Sequence, residues 1–164
     1  MKRLYLIRHA KSSWKDQSLA DFDRPLNKRG KRDAPFMGQR LASYQVTPDL
    51  LMSSPAKRAL TTAKTIAEEI GYPPTAIVTE PSIYGAGAAS LLTVIQAIKD
   101  AAHEVMLVGH NPGLTTLAES LTNTMVDNIP TCGIFCVDLP VESWTEVTEG
   151  IGTVVFFDYP KKHR

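Results

Sequence analysis

Apolar residues come in short runs and helical stripes that alternate along the chain. Leu4–Ile7 is an apolar run that suits a buried strand, and the polar stretch Lys11–Pro25 after it reads as a long loop. Asn27 is placed to cap a helix running to about Tyr44; Gly30, Pro35 and Gly38 weaken it, and Pro35 should mark a late start or a kink. Leu50-Leu51-Met52 reads as a second buried strand. Ser54-Pro55 then supplies an N-cap followed by proline at the first helical position. Ala59, Ala63, Ile66, Ala67 and Ile70 recur at helical spacing until Gly71 ends the helix.

Ala76–Thr79 is a candidate edge strand, and Ala88–Ala101 sets Leu91, Leu92, Ile95 and Ile98 on one helical face. Glu104–Val108 is the next strand, stopping at Gly109-His110, and Asn111-Pro112 opens a helix through about Leu121. After Pro130 the pattern changes to strands at Ile134–Leu139, Trp144–Thr148 and Thr153–Phe157. Strands alternating with helices predict an α/β fold, with a mostly parallel, doubly wound sheet covered on both faces. Such sheets carry their sites at the carboxyl ends of the strands.

Composition narrows the function classes. The 164 residues fit one domain, spanning 1–164, and 43% apolar with 21% charged residues is ordinary for a globular protein. A net charge of +1 gives no global field for nucleic acid or an anionic membrane, so neither is expected as a partner. The basic ends, Lys2-Arg3 and Lys161–Arg164, read as solvated termini. No stretch approaches the ~20 apolar residues of a membrane span. Cys132 and Cys136 form no C-x-x-C pair and read as buried free thiols on one side of a strand, which suits a reducing, cytoplasmic location. There is no metal-ligand cluster and no Gly-rich phosphate loop, so no metal or cofactor is expected.

Three strand ends share one grammar. The first closes on Arg8-His9 and the third on Gly109-His110. The second leads through Ser54-Pro55 into a helix whose first turn carries Lys57-Arg58. In a doubly wound sheet these ends lie side by side, so two histidines and two arginines can converge. Taken singly, each residue has a plainer reading: a loop hydrogen-bonder for His9, a surface charge for Arg8 or Arg58, a strand-to-helix turn for His110. Together they suit a phosphoryl group. Arginine's planar fork matches two of its oxygens, and helix N-termini add N–H donors. A histidine flanked by arginines is kept from protonating and stays nucleophilic. These parts describe phosphoryl transfer through a covalent phosphohistidine.

At these residues the chain resembles the histidine phosphatase superfamily, also called phosphoglycerate mutase-like, and within it the small SixA-like phosphohistidine phosphatases. Leu4–Ala10 is similar to the family's Arg-His-Gly signature, with Ala10 in place of glycine. Ser53–Ala63 is similar to its Ser-Pro-x-x-Arg-Ala-x-x-Thr-Ala helix start, and Val108–Pro112 to the segment with the second histidine. Asp23–Gly30 is similar to its Arg-Pro-Leu-x-x-x-Gly stretch. The resemblance implies a three-layer αβα sandwich without a large lid insertion. It implies His9 as phosphate acceptor, with Arg8, Arg58 and His110 binding the phosphoryl group and stabilising its transition state. Register selects Arg58 over Lys57, which should face solvent. Asn111, Lys11 and Ser12 are further candidates for touching substrate.

Family members that cleave phosphoesters supply a carboxylic acid after the third strand, and here that position falls near Gly85. Glu80 is the nearest candidate acid, out of register; Asp21 and Asp23 rank below it, since helix capping or a bond to Arg24 would explain them. An alkoxide leaving group gains ~10²–10⁴ in rate from a positioned acid. Imidazole needs far less help, so a site without a clear acid favours phosphohistidine borne on a protein, admitted by an open pocket. The alternatives are a small-molecule phosphoester phosphatase, with a small phosphorylated substrate as partner, and an idle phospho-binding module. A mutase would need a closed site. A monomer is compatible with the sequence.

Overall fold

A computed structural model describes residues 1–164. Six strands and four longer helices follow in the order β1 (Lys2–Arg8), α1 (Lys28–Ser43), β2 (Leu50–Ser53), α2 (Lys57–Ile70), β3 (Val78–Thr79), α3 (Ala88–Gln96), β4 (Glu104–Gly109), α4 (Gly113–Thr122), β5 (Ile134–Leu139) and β6 (Thr153–Asp158). They build one mixed sheet of order β3-β2-β4-β1-β5-β6. β3, β2, β4 and β1 run parallel, whereas β5 is antiparallel to β1 and β6 to β5.

Side chains alternate across a strand, so each central strand feeds two cores. Leu4 and Leu6 of β1 join Leu91 and Ile95 of α3 and Leu114 and Leu117 of α4 on one face. Tyr5 and Ile7 join Met37 and Leu41 of α1 and Ala63 and Ile66 of α2 on the other. The result is the three-layer α/β/α arrangement, with no large insertion. No helix is long and apolar enough to cross a membrane.

Helix α1 starts where expected: the Asn27 side chain accepts the Gly30 N–H at 2.9 Å. The helix runs through Pro35 rather than starting late, because its buried face (Ala34, Met37, Leu41) outweighs one missing hydrogen bond. Two glycines here are steric necessities. A Cβ on Gly30 would lie 2.2 Å from the Lys11 carbonyl oxygen, and one on Gly38 would lie 2.8 Å from Glu69 Cβ on α2.

Four expectations need correction. Helix α2 begins at Lys57 behind an Ala56 N-cap with no side-chain bond, so Ser54 is not its cap; that hydroxyl is used elsewhere, as described below. The helix expected over Ala88–Ala101 ends at Gln96, though Ile98 stays buried beyond it. Trp144–Thr148 is not a strand. A capping box, with Ser143 accepting from Thr145 N–H and Glu146 from Ser143 N–H, closes a 3-10 turn over Trp144–Glu146, and the Trp144 indole donates to the Ala102 carbonyl at 2.8 Å. The termini are not merely solvated: Lys2 is buried and donates to the Asp100 and Ala102 carbonyls, Arg3 pairs with Asp138 at 2.7 Å, and Arg164 with Asp33 at 3.0 Å.

Candidate active site

Strand register brings the expected residues together. Arg8 pairs with Gly109 and Ser53 with Val108, so the carboxyl ends of β1, β2 and β4 lie abreast. His9 N–H donates to the Gly109 carbonyl at 3.1 Å, and Ser54 N–H to Val108 at 3.0 Å. The backbone of Cys132, at φ +61°, donates to the carbonyls of both Arg8 and His9 and closes the other side. The His9 and His110 rings end with centroids 5.2 Å apart.

His9 is 8% exposed, and its Nδ1 sits 2.7 Å from the Ala10 carbonyl oxygen. A carbonyl can only accept, so Nδ1 carries the hydrogen and Nε2 keeps its lone pair. Burial pushes the His9 pKa down to about 3; the charges of His110, Arg58 and Arg8 add to this, while the Ala10 contact works against it. His110 is pushed down to about 4, again chiefly by burial and then by Arg58, with Asp21 opposing. Both rings are neutral at pH 7.

His110 Nε2 lies 2.8 Å from the Ser54 hydroxyl, which itself accepts the Ala56 N–H at 3.2 Å. Arg8 donates one Nη1 hydrogen to the Ile129 carbonyl at 3.0 Å. Arg58 reaches the Asp21 carbonyl at 2.7 Å and its carboxylate at 3.1 Å. Beyond these bonds, Arg8 Nε, Arg58 Nε and His110 Nδ1 are buried without a protein partner. Buried donors are normally satisfied, and these atoms, gathered around one histidine pair, have the chemistry to hold an oxygen-rich anion.

The carboxylate in this cluster is Asp21, which ranked below Glu80 in the sequence. Its side chain accepts from the Tyr84 hydroxyl at 2.6 Å, from Arg24 at 3.0 Å and from Arg58 at 3.1 Å. The Tyr84 bond first, then Arg24 and Arg58, hold it well below the usual carboxylate range. A carboxyl kept ionised in this way is no proton donor. Glu80 is occupied elsewhere: it accepts from the Ser82 hydroxyl at 2.6 Å and caps its own 3-10 turn. Asp23 is exposed at the end of the 3-10 turn Asp21–Asp23.

The remaining candidates separate. Lys57 faces solvent, as its register demanded. The Asn111 amide is spent on the fold, donating to Asn128 and Ile129 and accepting from Thr115. Ser12 is buried and accepts from Arg24 at 2.6 Å, and Lys11 is half-buried with its backbone against Gly30. Sequence reasoning missed Tyr84, whose ring stands edge-on to His110 at 5.6 Å, and Thr62, which links Ala10 to Arg58. Thr62 did carry a signal, since it is the threonine of the Ser-Pro-x-x-Arg-Ala-x-x-Thr-Ala run; Tyr84 carried none.

The chain is similar to known proteins in sequence and fold. The model of the histidine phosphatase superfamily (branch 1) matches residues 4–82. An uncharacterized chloroplastic protein of Arabidopsis thaliana is 34% identical over 153 residues, covering 88% of this chain and 70% of that protein. Among solved structures, SixA from Agrobacterium tumefaciens superposes with a TM-score of 0.81 at 28% identity, over 97% of this chain and 98% of that one. The protein histidine phosphatase SixA complexed with tungstate gives a TM-score of 0.84 at 19% identity, over 99% of both chains, which shows the fold.

Proposed function

The chain belongs to the histidine phosphatase superfamily, and from that premise we propose that it is a phosphatase that hydrolyses phosphohistidine on proteins by way of a phosphoryl group carried on His9. The observation that carries this reading is the 2.7 Å contact between His9 Nδ1 and the Ala10 carbonyl, which presents a neutral ring with Nε2 as nucleophile. All 164 residues serve as one such domain.

In this mechanism His9 Nε2 attacks phosphorus in line with the departing group. Arg8 and Arg58 bind the equatorial oxygens, using donors that the protein leaves unpaired. Ser54 donates its hydroxyl hydrogen to His110 Nε2, so His110 Nδ1–H becomes a further donor to those oxygens. Water then attacks the phosphoryl group on His9. The His9 ring leaves as it began, neutral and with its hydrogen on Nδ1. The lack of a neutral carboxyl group at the site supports a leaving group that needs no strong acid, as imidazole does and an alkoxide does not.

The test is to quench the enzyme in alkali within one turnover of a labelled phosphohistidine peptide. Label that is acid-labile, alkali-stable and mapped to His9 is the expected result. Label elsewhere, or none during active turnover, would overturn the assignment. His9→Ala is expected to abolish turnover and still bind a phosphate analogue.

A further inference from the structure

In an in-line displacement the leaving group departs opposite the nucleophile, and His9 lies at the buried floor of the site. The leaving group must therefore sit on the solvent side. Three neighbouring side chains stand there: Asp21 (48% exposed), Phe22 (39%) and Tyr84 (37%). The Phe22 and Tyr84 rings meet edge-on at 5.3 Å, Tyr84 bonds the Asp21 carboxylate, and Asp21 bonds Arg58 beside the phosphoryl site. The Asp21 carboxylate also pairs with Arg24 and Arg58. It is nonetheless the one acidic group beside these rings, and its charge opposes the arginines at the neighbouring His110 ring, so together with the aromatic faces it favours a flat cation there.

We propose that Asp21, Phe22 and Tyr84 form a leaving-group subsite that takes the substrate's phosphohistidine in its imidazolium form. The proposal rests on the phosphohistidine reading above and adds to it a protonation state and three specificity-determining side chains. The step balances without an added acid. As the His9 Nε2–P bond forms, the substrate's P–N bond breaks and its electron pair returns to the departing ring nitrogen. The substrate imidazolium leaves as neutral imidazole, keeping the hydrogen on its other nitrogen, and His9 becomes the phosphoimidazolium. Asp21 thus does for the leaving group what a proton donor does for an ester: it favours the form that leaves uncharged. An aryl phosphate, which departs as an anion, meets the same carboxylate as a repulsion.

The experiment compares kcat/KM for a phosphohistidine peptide and for p-nitrophenyl phosphate in the wild type, Asp21→Asn and Tyr84→Leu. Asp21→Asn should lower the ratio of the two values by at least about tenfold, equivalent to ~1.4 kcal/mol. A ratio that stays the same while both values fall together would overturn the proposal and leave Asp21 as an anchor for Arg58 alone. Should Asp21→Asn fail to fold, Tyr84→Leu keeps the Asp21–Arg58 bonds, must lower the ratio in the same sense, and overturns the proposal if it does not. The wild type separates this proposal from the reading beneath it. Turnover of an alkyl phosphate equal to that of the peptide would sink both, whereas a peptide-selective wild type with unchanged ratios in the variants would sink the subsite only.

Discussion

The Thr62 hydroxyl accepts the backbone N–H of Ala10 at 3.0 Å and donates to the Arg58 carbonyl at 2.8 Å. One buried hydroxyl therefore ties the residue after the nucleophile to the residue that supplies an arginine fork. Thr62→Val conserves shape and leaves the Ala10 N–H buried without a partner, which costs about 1–3 kcal/mol. Denaturant titration should register that loss. Because sub-ångström placement matters to phosphoryl transfer, kcat/KM should also fall about tenfold. A variant with full activity and full stability would show that the end of β1 and the start of α2 are held independently.

Burial of two neutral histidines makes stability depend on acid. Their pKa values lie at about 3 and about 4 in the fold, below the ordinary 6.5. Above pH 6.5 both states are neutral and the stability is complete. As pH falls below 6.5 the unfolded chain takes up protons that the native rings refuse, so stability drops by up to about 1.4 kcal/mol per pH unit for each histidine. Unfolding free energies measured from pH 7.5 to 4.5 should show this slope, and His9→Asn should reduce it to about half, leaving the share of His110. Ring resonances of His9 and His110 should not titrate near 6.5; a midpoint there would contradict the electrostatics of the site.

The sequence ranks Glu80 first as a proton donor, and in the fold its carboxylate instead accepts the Ser82 hydroxyl at 2.6 Å and caps its own 3-10 turn. Glu80→Gln keeps an oxygen for the same cap. The expected kcat/KM on phosphohistidine peptide is within about twofold of the wild type, against the ~10²–10⁴ loss that follows removal of a working general acid.

Why Glu80 outranked Asp21 shows what a sequence reveals. Arg8, His9 and His110 stand where apolar strands run out, so the sheet rule for strand ends locates them, whereas Arg58 sits in the first turn of α2 and its choice over Lys57 rests on the register of the family motif. Asp21 follows a polar stretch with no period, and its partner Tyr84 is 63 residues away, so their bond exists only once that stretch and the connection between β3 and α3 have packed together. The same holds for Ser54. Ser-Pro before a helix reads as a cap, and only the parallel pairing of β2 with β4 reveals that the hydroxyl faces a histidine instead. Trp144 misleads for a related reason: the β-favouring Trp144, Thr145, Val147 and Thr148 suggest a strand, while the Ser143–Glu146 capping box, three residues apart, is the stronger local signal.

Ser54 is fully buried, and its hydroxyl has one hydrogen to give. With the Ala56 N–H donating to its oxygen, that hydrogen is free for His110 Nε2, which keeps the one ring N–H hydrogen of neutral His110 on Nδ1, the atom without a protein partner. Ser54→Ala removes the constraint and lets the ring hold its hydrogen on either nitrogen. Transition-state binding then suffers more than ground-state binding, because the oxygens gain charge as the reaction proceeds. The expected result is a fall in kcat of about 10²-fold, comparable to losing one oxyanion donor, with little change in KM. Nitrogen chemical shifts of the His110 ring should report Nδ1–H in the wild type and a mixture in the variant. A wild-type ring protonated on Nε2 would instead make Ser54 the acceptor and withdraw His110 Nδ1 from the set of phosphoryl donors.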